Sequence, residues 1–200
     1  MMEKIAQVIS YLMHPLLMPV YALIFLFSGT SVFTLTPLAT KLFCFLVTGV
    51  SMVVLPLISL PIFKRLHLIS DYTLDDKQER VYPILVAVIF AFIGFWVLGK
   101  FAYTQIVQQL FLAVIILLSV FSIITLVWKM SMHMTAIGGV VGFIFALGIK
   151  YPGDMRIPFI IMLLFAGILA ASRLYLNKHN PCQIYTGFLF GTLLVSFLLS

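Results

Sequence analysis

Residues 108–128, QQLFLAVIILLSVFSIITLVW, decide the fold. This run carries no charged side chain. As a helix it is about 30 Å long, the depth of a bilayer's hydrocarbon core. Six more apolar runs lie at roughly 8–28, 39–62, 82–99, 131–149, 157–176 and 183–200. Lipid-buried backbone must satisfy its own hydrogen bonds, so each run predicts an α-helix. The alternation expected of barrel strands is absent. The expected fold is all-α: a polytopic transmembrane helix bundle of about six to seven spans. It is read as a single integral membrane domain over 1–200, with a motif-bearing core at about 64–200.

Composition agrees. The 200 residues are 63% hydrophobic and only 9% charged, which excludes an ordinary water-soluble domain. The formal net charge of +6 would suggest nucleic acid in a soluble protein. Here the basic residues sit at segment ends, where they meet headgroups and anionic substrates, so no nucleic-acid partner is expected. The first run contains Pro15 and Pro19 and lacks a small-residue cleavage site, so it reads as a retained helix. Cys44 and Cys182 show no metal spacing and are expected as free thiols.

Polar chemistry gathers in few places. The longest polar stretch, 64–80, holds Asp71, Asp75, Asp76 and Glu79, four of the six acids. Only four histidines exist, and two fall in short motifs at the edges of apolar runs. One motif is Ser131-Met132-His133. The other is Ser172-Arg173, five residues, His179, three residues, Gln183. By segment parity, the connections carrying Arg80, His133 and His179 emerge on one membrane face.

The stretch 172–191 resembles the third signature of the type 2 phosphatidic acid phosphatase superfamily: Ser-Arg, five residues, His, three residues, Asp. Ser172, Arg173 and His179 match, and Gln183 stands where the family has Asp. Ser131-Met132-His133 resembles the second signature, Pro-Ser-Gly-His, with Met in place of Pro and of the inner Gly. The resemblance covers about 131–191. The first signature, Lys, six residues, Arg-Pro, is poorly matched: Arg80 is followed by Val81-Tyr82-Pro83, and Thr73 stands where the Lys would be. Lys77 and Arg80 are the stand-ins.

The resemblance implies hydrolysis of a membrane lipid phosphate or diphosphate without a metal or other cofactor. His179 would be the nucleophile, forming a phosphohistidine. His133 would protonate the leaving group, and Gln183 would orient His179. The residue types suit that chemistry. Arg173 can grip two phosphate oxygens with a fork of N–H donors. Lys77 and Arg80, with Lys129 as a further candidate, add positive charge. Ser131, if it begins a helix, offers a hydroxyl and free backbone N–H groups to an anion. Gln183 supplies a carbonyl acceptor but no charge. The alternative is a catalytically degenerate relative that binds or transports lipid phosphates without hydrolysis.

Blander readings stand beside these. Asn180-Pro181-Cys182-Gln183 reads as an N-cap, a proline at the first helical position and the far half of a capping box. Ser131 is a helix cap or a phosphate ligand. Gly138-x-x-x-Gly142 and Gly187-x-x-x-Gly191 are small-residue packing patterns within the bundle. His14 and His67 read as interfacial, without a role. Asp75-Asp76 loosely resembles the acidic clusters of prenyl-transfer enzymes. Such sites need a second cluster, and the only other acids are Glu3 and Asp154, the latter on the opposite face.

The expected setting is the bacterial cytoplasmic (inner) membrane. The motif side carries eight basic residues against four, which argues for a cytoplasmic face. Without the proposed ligands Lys77, Arg80, Lys129 and Arg173 the count is four against four, and the resemblance implies the outer face.

Overall fold

Proline decides how the first apolar run folds. It forms α1 (Met2–Leu12), a 3₁₀ turn (Pro15–Leu17) and α2 (Met18–Phe27). Pro15 has no N–H and disfavours helical geometry in the residue before it. His14 is accordingly extended, with φ −65° and ψ 139°. α1 begins earlier than the apolar run because its polar residues Glu3, Lys4 and Gln7 share a helix with buried Ala6 and Ser10. The computed structural model describes residues 1–28, 31–72 and 79–200.

The second run is α3 (Leu38–Gly49), a π-helical stretch (Val50–Val54) and α4 (Leu55–Arg65). The ring of Pro56 would press on the carbonyl four residues earlier, and the wider turn falls there. Then come α5 (Val81–Leu98), α6 (Gln105–Val127), α7 (Met132–Lys150), α8 (Arg156–Tyr175) and α9 (Pro181–Leu199). Among the described residues, seven segments are long and apolar enough to cross a membrane. Among the described residues there is no strand. Outward faces stay apolar, as at Ile123 (67% exposed) and Phe197 (79%), which suits lipid and not water. The protein is a multi-pass helical membrane protein.

The chain packs as two units: residues 1–37 with 130–200, and residues 38–129. In the second unit α5 lies against α6, where Gly94 admits the ring of Phe111. Gln108 Nε2 donates to the Phe95 carbonyl at 3.3 Å.

The first unit is built on α7 and α9. They run parallel, because α8 returns the chain between them. Gly138 faces the backbone of Phe188, and Gly142 faces that of Thr192. Gly187 meets the Ser131 carbonyl, and Gly191 meets the Thr135 carbonyl. A Cβ at any of these four would press on backbone, so the two glycine pairs form one seam. The Ser131 N–H donates to the Gln183 carbonyl (3.2 Å) at one end. Lys150 Nζ donates to the Leu199 carbonyl (3.1 Å) at the other.

Two ring contacts fix the first segment along α7. His14 meets His133 edge-on, centroids 5.7 Å apart. Phe33 meets Tyr151 at 4.9 Å. His14 and Phe33 therefore lie at opposite ends of α7. α1 precedes that crossing and packs on α8.

Candidate functional site

Three chain ends converge where α7 and α9 begin. The first is the start of α7. Ser131 is its N-cap residue, yet its hydroxyl accepts no hydrogen bond from the first turn. The side chain is fully buried, and Oγ has no hydrogen-bond partner. Its backbone is fully used: the carbonyl accepts from the Thr135 N–H (2.9 Å) and from Thr135 Oγ1 (3.0 Å). A buried hydroxyl left in this state costs about 1–3 kcal/mol. Of the two readings of Ser131, the capping hydrogen bond is the one not made.

The second is the end of α8. Arg173 lies in its last turn, where the helix's partial negative charge favours a cation. Asn177 adopts a left-handed conformation (φ 52°) and closes the helix. Its N–H donates to the Leu174 carbonyl (2.9 Å), and the Lys178 N–H donates to the Arg173 carbonyl (3.2 Å). This is the reciprocal pair of a Schellman motif, and it turns the chain back within a few residues. Ser172 donates its hydroxyl to the Ile168 carbonyl at 2.8 Å. Its visible role is thus within the helix.

The third is the start of α9, capped by Asn180 with Pro181 at the first helical position. Asn180 Oδ1 accepts from the Gln183 N–H (2.9 Å), and Gln183 Oε1 accepts from the Asn180 N–H (3.2 Å). This is the full capping box read from the sequence. The same Gln183 Oε1 lies 3.1 Å from His179 Nδ1. A nitrogen facing a carbonyl oxygen must carry the proton. The hydrogen-bond network therefore assigns His179 its proton on Nδ1 and its lone pair on Nε2. Gln183 caps the helix and orients the histidine at once.

His133 sits in the first turn of α7, with its ring hydrogen-bonded to the backbone of Ser10. Arg173, His179 and His14 are all close enough for their charges to act on it. Arg173 acts on His14 as well. The structure thus brings Ser131, His133, Arg173, His179 and Gln183 together in the first unit. Arg80, buried at the N-cap position of α5, belongs to the second unit. Lys77 lies outside the described residues, as do Asp75 and Asp76.

His14 is the residue that sequence reasoning missed. Its available signal was position: a histidine directly before the proline that breaks an apolar segment. Met130 and Met134 are buried packing residues. Both cysteines are free thiols, Cys44 buried and Cys182 exposed. Among the described residues, no three His, Cys, Asp or Glu side chains converge as a metal-ligand set. No family model, curated protein or solved structure matches the chain.

Proposed function

We propose that the protein hydrolyses a membrane lipid phosphate or diphosphate through a phosphohistidine intermediate, as a divergent relative of the type 2 phosphatidic acid phosphatases in the bacterial cytoplasmic membrane. One observation carries this reading. His133 and His179 share one end of the α7–α9 seam with the charge of Arg173 and the unpartnered hydroxyl of Ser131.

The chemistry follows from the ring nitrogens. His179 Nε2 carries the lone pair and attacks phosphorus. The bond from phosphorus to the leaving oxygen breaks, and His133, acting as the imidazolium with both ring nitrogens protonated, gives that oxygen a proton. Water then attacks the phosphohistidine and returns a proton to His133. The P–N bond breaks, releasing phosphate and restoring His179. Gln183 Oε1 holds Nδ1–H throughout. Arg173 binds equatorial oxygens, and Ser131 Oγ donates to another.

The test is phosphate release by purified protein from phosphatidic acid, phosphatidylglycerol phosphate and undecaprenyl diphosphate, with EDTA present. Release that survives EDTA and disappears in His179→Ala is the expected result. Full activity in that variant would sink the mechanism.

Gln183 favours a second reading. Its oxygen is neutral and already serves both Asn180 and His179. A site without the family's carboxylate suits a protein that binds or carries lipid phosphates unchanged. Tight binding by folded protein, with no turnover of any panel lipid, would select that reading.

A further inference from the structure

The broken first segment leaves a carbonyl at the site. In an unbroken helix, the His14 N–H would donate to the Ser10 carbonyl. Here the His14 N–H goes to the Tyr11 carbonyl (3.2 Å), and the Met13 N–H goes to that of Ile9 (2.9 Å). The break persists because Pro15 holds His14 extended. Carbonyls near such a break find side-chain partners instead. Leu12 accepts from the Tyr21 hydroxyl at 2.7 Å. Ser10 takes up the ring of His133.

A ring nitrogen bonded to a carbonyl must be the N–H donor. Its other nitrogen then faces the site, holding the lone pair in the neutral ring and the transferable proton in the imidazolium. His14 supports the same ring from a second direction. Its Nδ1 accepts from the Leu16 N–H at 3.3 Å, so its own proton is on Nε2. Its ring stands at 79° to that of His133. The charged and titratable groups acting on His133 are His14 from the break, Arg173 from α8, and His179 from the connection into α9.

We infer that the His14–Pro15 break is a working part of the site: the Ser10 carbonyl and the His14 ring are positioning groups that fix the tautomer and orientation of His133 for proton transfer. The proton-transfer role rests on the hydrolytic reading; the positioning of the ring does not.

Two variants separate these. His14→Asn removes the ring but keeps a side-chain acceptor for the Leu16 N–H, so the turn stays capped. Pro15→Ala lets the helix close and returns the His14 N–H to Ser10. The full chain, with ¹⁵N-labelled histidine, is observed by NMR in lipid-containing micelles, with His133 assigned through His133→Gln. Wild type should show one His133 tautomer. Both variants should show tautomer exchange. In parallel, kcat on phosphatidic acid should fall roughly 10- to 100-fold with KM within about 3-fold, a misplaced general acid and not a lost binding group. An unchanged His133 ring in both variants overturns the inference. So does an unchanged kcat in both. A ring response in protein that releases no phosphate upholds the positioning and overturns the hydrolytic reading beneath it.

Discussion

The two ends of the α7–α9 pair share the same helices and differ in how their polar groups are satisfied. At the far end, charges are exposed and paired. Asp154 accepts from Arg156 Nη2 (2.7 Å) and Nε (2.9 Å), and Lys150 closes α9 on the Leu199 carbonyl. At the near end, two histidines and a serine are buried or nearly so, and the Ser131 hydroxyl has no partner. Buried polar groups are costly unless something binds them. The far end is finished as a protein surface. The near end keeps a buried hydroxyl without a partner, which is the feature that the proposed phosphate site uses.

The largest expected effect breaks this contrast directly. His179→Ala should lower phosphate release by at least roughly 10⁴-fold, as loss of a nucleophile does. Lys150→Met at the far end should leave kcat within about 2-fold and cost up to about 1 kcal/mol of stability. Equal losses of activity in the two would erase the distinction between the ends.

Next comes the seam that holds the ends apart. Gly191→Ala drives a methyl onto the Thr135 carbonyl and should destabilise by about 1–3 kcal/mol in thermal unfolding. Gly167, on α8, faces open space. Gly167→Ala should instead stabilise by about 0.5–1 kcal/mol, because helix formation then costs less backbone entropy.

Gln183→Glu sharpens the comparison further. It keeps the chain length and the capping box while adding charge beside His179 Nδ1. Turnover should rise about 10-fold, roughly 1.4 kcal/mol of barrier, because the carboxylate steadies the positive ring. Unchanged turnover with unchanged stability would limit Gln183 to orientation and capping.

The smallest effect belongs to Asp154. Hydrogen bonds from the Arg156 side chain and backbone hold its carboxyl at about 2, against an ordinary 3.8. A depressed folded value means that the contribution is present above pH about 4 and is lost as pH falls through about 2. The pair lies at the surface and is heavily screened. Asp154→Asn should shift the melting temperature by under about 2 °C at pH 7, and the difference should shrink as pH falls through about 2 and vanish below it.

Much of this was legible in the chain. Hydropathy located the seven segments to within a few residues, except at α1, where Glu3, Lys4 and Gln7 interrupt the apolar run but not the helix. The capping box could be read from Asn180 to Gln183 because its partners are local. Spacing alone did not reveal that one oxygen of Gln183 serves two donors. The π stretch before Pro56 was hidden, since several backbone adjustments can accommodate a proline. His14 was hidden for a different reason. Its partner lies 119 positions away, from 14 to 133, and the pairing depends on a carbonyl released by a break in another residue's helix.

The seam has a consequence for the surrounding lipid. Membranes of different thickness make helices tilt or slide to match them. α9 cannot slide along α7, because four glycines already bring backbone against backbone. A thinner or thicker bilayer must therefore tilt the pair as one body. The spacing between His133 and His179 should stay constant while their depth changes, so lipid chain length would control access to the site without altering its geometry.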